Sequence, residues 1–224
     1  MSASAHLRLH DPRYLVGHWP LNGHAQDVSG HGNHGTWTAE GYESGPYNGK
    51  SVGSFNGTTG TVACGTDASI TMYGWSAISV TALVRADSVG ETSGRVIDKA
   101  KVFVALGTNS IGAQVIASGG TAIESSAVSS ITYGAWYRIA MVWDGTSGNI
   151  RIYIGNALSS AGSPLDNIGT ITDDSANALF IGNNSAGGIR AFDGAISKVR
   201  LYNIALTGDE VAALYEYEDR KSVV

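Results

Sequence analysis

Cysteine is almost absent. The single thiol, Cys64, cannot close an internal disulfide, so the 224-residue chain is not a disulfide-stapled scaffold. Charge is scarce too: Asp, Glu, Lys and Arg make up 15% of the residues, against about a quarter in an average domain. There is no run of Lys and Arg, and the net charge is −5, which argues against a nucleic-acid partner because phosphate binding needs clustered cations. No stretch of about 18 apolar residues occurs, so membrane insertion is not expected. The opening MSASAHLRLHDPRY has no apolar h-region, and no secretory signal is visible in it. Histidine is missing after His34, which removes the commonest general base from most of the chain.

Glycine, by contrast, is abundant: 30 residues, nearly double the usual share of about 7%. Between the glycines lie short segments with the period-two pattern of half-buried strands. ISVTALVRA sets Ile78, Val80, Ala82 and Val84 against Ser79, Thr81 and Arg85. YRIAMVWDG ends on the turn pair Asp144-Gly145, and NIRIYIGNAL sets Ile150, Ile152 and Ile154 against Arg151 and Tyr153 before turning at Gly155-Asn156. Similar runs recur along the chain and predict a two-sheet antiparallel sandwich. One helix is expected near the end, in LTGDEVAALYEYE, where Thr207 and Glu210 have the spacing of a capping box and Val211, Leu214 and Tyr215 share a face. No linker divides the chain. The expected organisation is a polar arm over 1–12, one domain over 13–219 and a tail over 220–224.

The loop DVSGHGNHG, Asp27 to Gly35, can build no core. Its residues allow two readings: a plain turn in which Asp27 caps its own loop, or an oxygen-rich cradle for a cation.

Four separated segments bear on that choice. LVGHWPLNGHAQDVSGHGNHGTW opens the chain, GWSAISVTALVRAD and GAWYRIAMVWDGTSGNIRIYIGN follow, and FDGAISKVRLYNIALTGDEVAAL closes it. In this order they resemble the laminin-G-like family with the concanavalin A-like jelly-roll fold, over nearly the whole chain. The resemblance implies that the first and last strands lie close together and that a structural calcium ion is held there. Asp27 and Asp193 would supply charge, Asn33 an amide oxygen, and Gly30 or Gly35 backbone carbonyls. The ion would clamp the N-terminal loop to the closing strand.

All six histidines lie at positions 6, 10, 18, 24, 31 and 34, which allows a zinc site or, more plainly, surface histidines. Among the aromatics, Trp136 and Trp143 read as core. Tyr42 and Tyr47, in the loop EGYESGPYNGK, read as exposed and, with Trp37, form a candidate glycan-stacking surface. No strand carries two closely spaced carboxylates of the kind that glycoside hydrolysis needs, so the expectation is a non-catalytic module. Its first form is a structural or adhesion component of a larger assembly, such as a virion surface or capsid decoration protein. Its partners would then be neighbouring proteins or copies of itself, held by the arm and by unpaired strand edges. The alternative is a calcium-stabilised, lectin-like module that binds surface glycans. A virion surface or an extracellular location fits these readings.

Overall fold

A computed structural model describes residues 8–38, 41–47, 49–125, 130–161, 167–184 and 189–222. His6 and the rest of 1–7, and the last two residues of the expected tail, lie outside the described residues. The strands are β1 (Leu15–Trp19), β2 (Thr36–Thr38), β3 (Tyr42–Ser44), β4 (Ser51–Asn56), β5 (Thr61–Gly65), β6 (Ala77–Ala86), β7 (Arg95–Asp98) and β8 (Val102–Gly107). They continue as β9 (Ser110–Ala117), β10 (Gly120–Ser125), β11 (Trp136–Asp144), β12 (Ile150–Ile154), β13 (Ala157–Ala161), β14 (Leu179–Ile181) and β15 (Asp193–Tyr202), and helix α1 (Gly208–Ser222) follows.

The strands form two antiparallel sheets. One has eight strands in the order β13-β12-β11-β6-β15-β4-β3, with β1 added on β15; the other has seven, in the order β10-β9-β8-β7-β14-β5-β2. Alternation decides what lies between them. On β6, Ile78, Val80, Ala82 and Val84 enter the core and Ser79, Thr81, Leu83 and Arg85 turn outward. The core between the sheets takes Trp19, Phe55, Trp143 and Phe192. Trp136 does not join it. It is seven residues from Trp143, an odd separation that puts the two rings on opposite faces of β11, and it lies half-buried under the Arg85 guanidinium at 5.6 Å.

A second apolar layer covers part of the outer face of the eight-stranded sheet. Leu206, Val211, Leu214 and Tyr215 of the C-terminal segment pack on Leu15, Ala140, Val142, Tyr153 and Tyr202. The helix begins with the expected capping box: Thr207 N donates to Glu210 Oε2 at 2.9 Å and Glu210 N to Thr207 Oγ1 at 3.2 Å. Residues 8–14 lie in this layer too. Leu9 is 1% exposed, Tyr202 Oη donates to its carbonyl at 3.3 Å, and Arg8 pairs with Glu210 at 3.0 Å. The stretch read as a polar arm is therefore packed on the body from residue 8 onward.

The segment TDDSAN, residues 172–177, holds a buried clamp. Asp174 accepts from the backbone N–H of Met72 and Tyr73, and the Lys99 ammonium lies 3.4 Å from it with both side chains fully buried. Among the described residues no helix is long and apolar enough to cross a membrane.

Candidate functional site

Asp27 anchors its loop through both carboxylate oxygens. Oδ1 accepts from His18 N and Ser29 N, and Oδ2 from Ser29 Oγ and Asn33 N, each at 2.9 Å. The Asn33 amide is turned inward, 3% exposed, and bonds Val16 O at 3.1 Å and the Ser69 hydroxyl at 2.9 Å. Gly30 sits at φ +100°, open only to glycine without strain, and a Cβ on Gly35 would come within 2.2 Å of Val62 Cγ1. These glycines answer to a turn and to a close approach.

Asp193 is elsewhere. His18, which Asp27 grips, pairs with Arg200 on β15, and Asp193 begins that strand seven residues away, about 23 Å at roughly 3.3 Å per residue. It accepts from Ser88 Oγ at 2.6 Å and faces Asn56 of β4. The first and last strands are neighbours, as expected, but the Asp27 loop folds back onto His18, level with Arg200 and toward the far end of β15 from Asp193. The clamp joining Asp27, Asn33, Gly30 and Gly35 to Asp193 is therefore not assembled.

A different feature occupies the middle of β15. One edge of this strand is shared: Asp193–Ile196 pairs with β4, and Val199–Tyr202 pairs with β1. Between the two partners the register shifts, and Lys198 takes a left-handed conformation with φ 51°. Pro20 spans the gap, its carbonyl accepting from Lys198 N at 3.2 Å and Ser197 Oγ at 2.7 Å. Where the sheet changes partner, a groove of about 400 Å³ opens on its outer face. Pro20, Pro46, Val52 and Leu83 give it apolar walls. His10, His18, Lys50, Lys198 and Arg200 converge on it from the N-terminal segment, β1, the approach to β4 and β15.

The electrostatics of the groove follow from this convergence. Burial, then the nearby Arg200, His10 and Lys198, push the His18 pKa well below the usual imidazole value, so its ring is neutral at pH 7. Arg200 is 6% exposed. Tyr47 also lines the groove, but its ring is not a bare platform: the Lys198 ammonium lies 4.6 Å and the Arg138 guanidinium 5.3 Å from its centroid.

Of the three aromatics expected to stack on a glycan, only Tyr47 belongs to this groove. Trp37 is half-buried against Phe55, with ring centroids 4.8 Å apart, and its indole N–H donates to Tyr42 Oη at 2.7 Å. That pair ties β2 of one sheet to β3 of the other. The basic residues of the groove are not found by local sequence reading. Parity offered one signal: on AISKVRLY the inward positions Ile196, Val199 and Leu201 leave Ser197 and Arg200 facing out.

Two acids do approach one another on the same face. Glu43 and Asp87 both grip Arg85, Asp87 through Nε at 2.8 Å and Nη2 at 2.6 Å, and Glu43 through Nη1. With a guanidinium between them, they are held as an ion-pair network rather than as an acid and a nucleophile facing an open cleft.

The family model described as the concanavalin A-like lectin/glucanases superfamily, Laminin_G_3, matches residues 56–212. The chain belongs to that superfamily. No curated protein matches the sequence. Among solved structures, the binding domain of Paraclostridial Mosquitocidal Protein 1 is similar with a TM-score of 0.74 at 13% identity, over 92% of this chain and 53% of that one. The botulinum neurotoxin serotype G binding domain gives 0.67 at 16%, over 91% and 51%. Domain 4 of AbnA, a GH43 extracellular arabinanase from Geobacillus stearothermophilus, solved with arabinotriose, gives 0.62 at 20%, over 90% and 98%. The chain thus spans about half the length of the toxin domains and nearly all of the arabinanase domain. These likenesses carry the fold; the two toxin structures are binding domains.

Proposed function

We propose that this chain is a non-catalytic, extracellular binding module that holds a saccharide in the groove at the β1/β4 handover on β15. The observation that carries the reading is the groove itself: about 400 Å³, within the range of small-ligand sites, with apolar walls and a few convergent polar groups. The fold suits it, since the arabinanase domain of similar fold was solved with arabinotriose. Among the described residues no carboxylate lines the groove, so none of them offers a ligand there an acid pair for general acid and base work. The reading as an assembly component, with a virion surface or capsid decoration role, would use residues 1–12 as an arm; of these Leu9 is buried in the outer layer and Arg8 pairs with Glu210, which favours the lectin-like reading.

A glycan array with the wild-type chain and a groove-filling Ser51→Trp variant tests the proposal. Ser51 lines the groove from an exposed position on β4, so the variant should fold. Saccharide binding by the wild type, lost in the variant and with no cleavage products, is expected. Binding that survives Ser51→Trp, or hydrolysis of the bound glycan, would overturn it.

A further inference from the structure

We infer that Asn22, on the lip of the groove, is a modification site: attack by the neighbouring backbone nitrogen converts it to aspartate and isoaspartate in the folded chain. This does not depend on what the groove binds. The sequence has three Asn-Gly pairs, Asn22-Gly23, Asn48-Gly49 and Asn56-Gly57. Asn48 lies outside the described residues. The asparagines of the other two pairs are both exposed, but the fold treats them oppositely.

The reaction is a ring closure. The glycine backbone nitrogen loses its proton to a base and bonds to the asparagine Cγ. The Cγ–Nδ2 bond breaks, and the amide nitrogen takes a proton from water and leaves as ammonia. Water then opens the five-membered imide at either carbonyl, giving aspartate or isoaspartate. No oxidant or reductant is needed. Closure requires an N–H that is not tied up, a side chain free to turn onto it, and no Cβ on the following residue to crowd the approach. Glycine meets the last condition in both pairs.

Asn56 fails the other two. Gly57 N donates to Phe192 O at 3.0 Å. Asn56 Oδ1 accepts from Thr58 N at 3.0 Å, Thr59 N at 2.9 Å and Gly60 N at 3.0 Å, and Nδ2 donates to Thr59 Oγ1 at 3.0 Å. The backbone of Asn56 is also fixed, since it pairs with Asp193 across the sheet. Asn22 meets both conditions. It and Gly23 are exposed, and neither makes a hydrogen bond to another described residue. Gly23 takes φ +102°, with open space where a Cβ would stand. The turn is held at its ends: Pro20 O accepts from Lys198 N and Ser197 Oγ, and Ala25 O accepts from Gly35 N at 2.8 Å. Conversion places a carboxylate on the groove wall that Asn22 lines, and isoaspartate adds a methylene to the main chain between those anchors.

The test incubates the full chain in mildly alkaline buffer and maps its peptides by mass spectrometry, with fragment-ion sequencing to place each new acid. Circular dichroism checks that the chain stays folded throughout. A parallel incubation in concentrated urea supplies the rates without the fold. In the folded chain Asn22 should convert at least about tenfold faster than Asn56, a barrier difference of ~1.4 kcal/mol. In urea the two rates should approach one another, because nothing then holds Asn56 and Gly57. Equal rates in the folded chain would overturn the assignment. So would the same ratio in urea as in buffer, since the local sequence rather than the fold would then set it. An Asn22 that stays an amide in the folded chain while it converts in urea would overturn it as well.

Discussion

Under α1, the outer face of the eight-stranded sheet is built from Leu15, Ala140, Val142, Tyr153 and Tyr202; a few residues along the same strands, it is built from His18, Arg138, Ser197 and Arg200. Both halves obey the same alternation, which sends every second residue away from the main core. What differs is the cover. Where the helix and residues 8–14 lie on the sheet, the outward positions are apolar and stabilise the fold. Where β15 passes from β4 to β1, nothing in the described chain fills the groove, and the outward positions mix Arg200, His18 and Ser197 with the apolar Val52 and Leu83. One half of the face holds the molecule together, and the other carries the proposed ligand groove.

The largest effect should come from breaking the covered half. Leu214 is fully buried in the outer cluster, and Leu214→Ala should lower stability by about 2–5 kcal/mol, read from urea denaturation. A loss below about 1 kcal/mol would mean that the helix is only loosely seated. The effect of pH comes next and belongs to the open half. Since the folded chain holds the His18 pKa below its unfolded value of about 6.5, the unfolded chain binds the proton more readily. The His18 contribution is therefore fully present above pH 6.5 and is lost as pH falls toward the folded pKa. Between pH 7.5 and 5.5 the wild type should lose more stability than His18→Gln, and an equal or smaller loss would contradict the description of the groove. The smallest effect should come from the rim. Lys50→Gln should leave stability within about 0.5 kcal/mol of wild type, and a larger change would make Lys50 part of the fold rather than of the site.

Much of this was legible because the signals were local. The alternation in ISVTALVRA and NIRIYIGNAL gave strands with the correct inward residues, and Thr207 with Glu210 marked the helix start. Trp136 was misplaced although parity alone, seven residues from Trp143, put it outside. The Asp27 loop was legible as a turn, since Asp27 bonds within two to nine residues of itself. Its link to Asp193 was not, because adjacency of the first and last strands does not say which ends meet; antiparallel pairing of His18 with Arg200 settles that. The groove was least visible. His18 and Lys50 lie near the start of the chain and Lys198 and Arg200 near its end, and only the change of partner along β15, with its bulge at Lys198, brings them together. The Asp174 clamp was hidden similarly, its partners Met72 and Lys99 being distant in sequence.

If the uncovered half of this sheet face is the proposed ligand site, a backbone-amide NMR titration with an arabino-oligosaccharide should show it. Shifts should concentrate at Lys50–Val52 and Ser197–Arg200, with the Asp27 loop and the β10 and β13 edges unchanged. Saturable shifts centred on those edges or on the Asp27 loop, with Ser197–Arg200 silent, would contradict it.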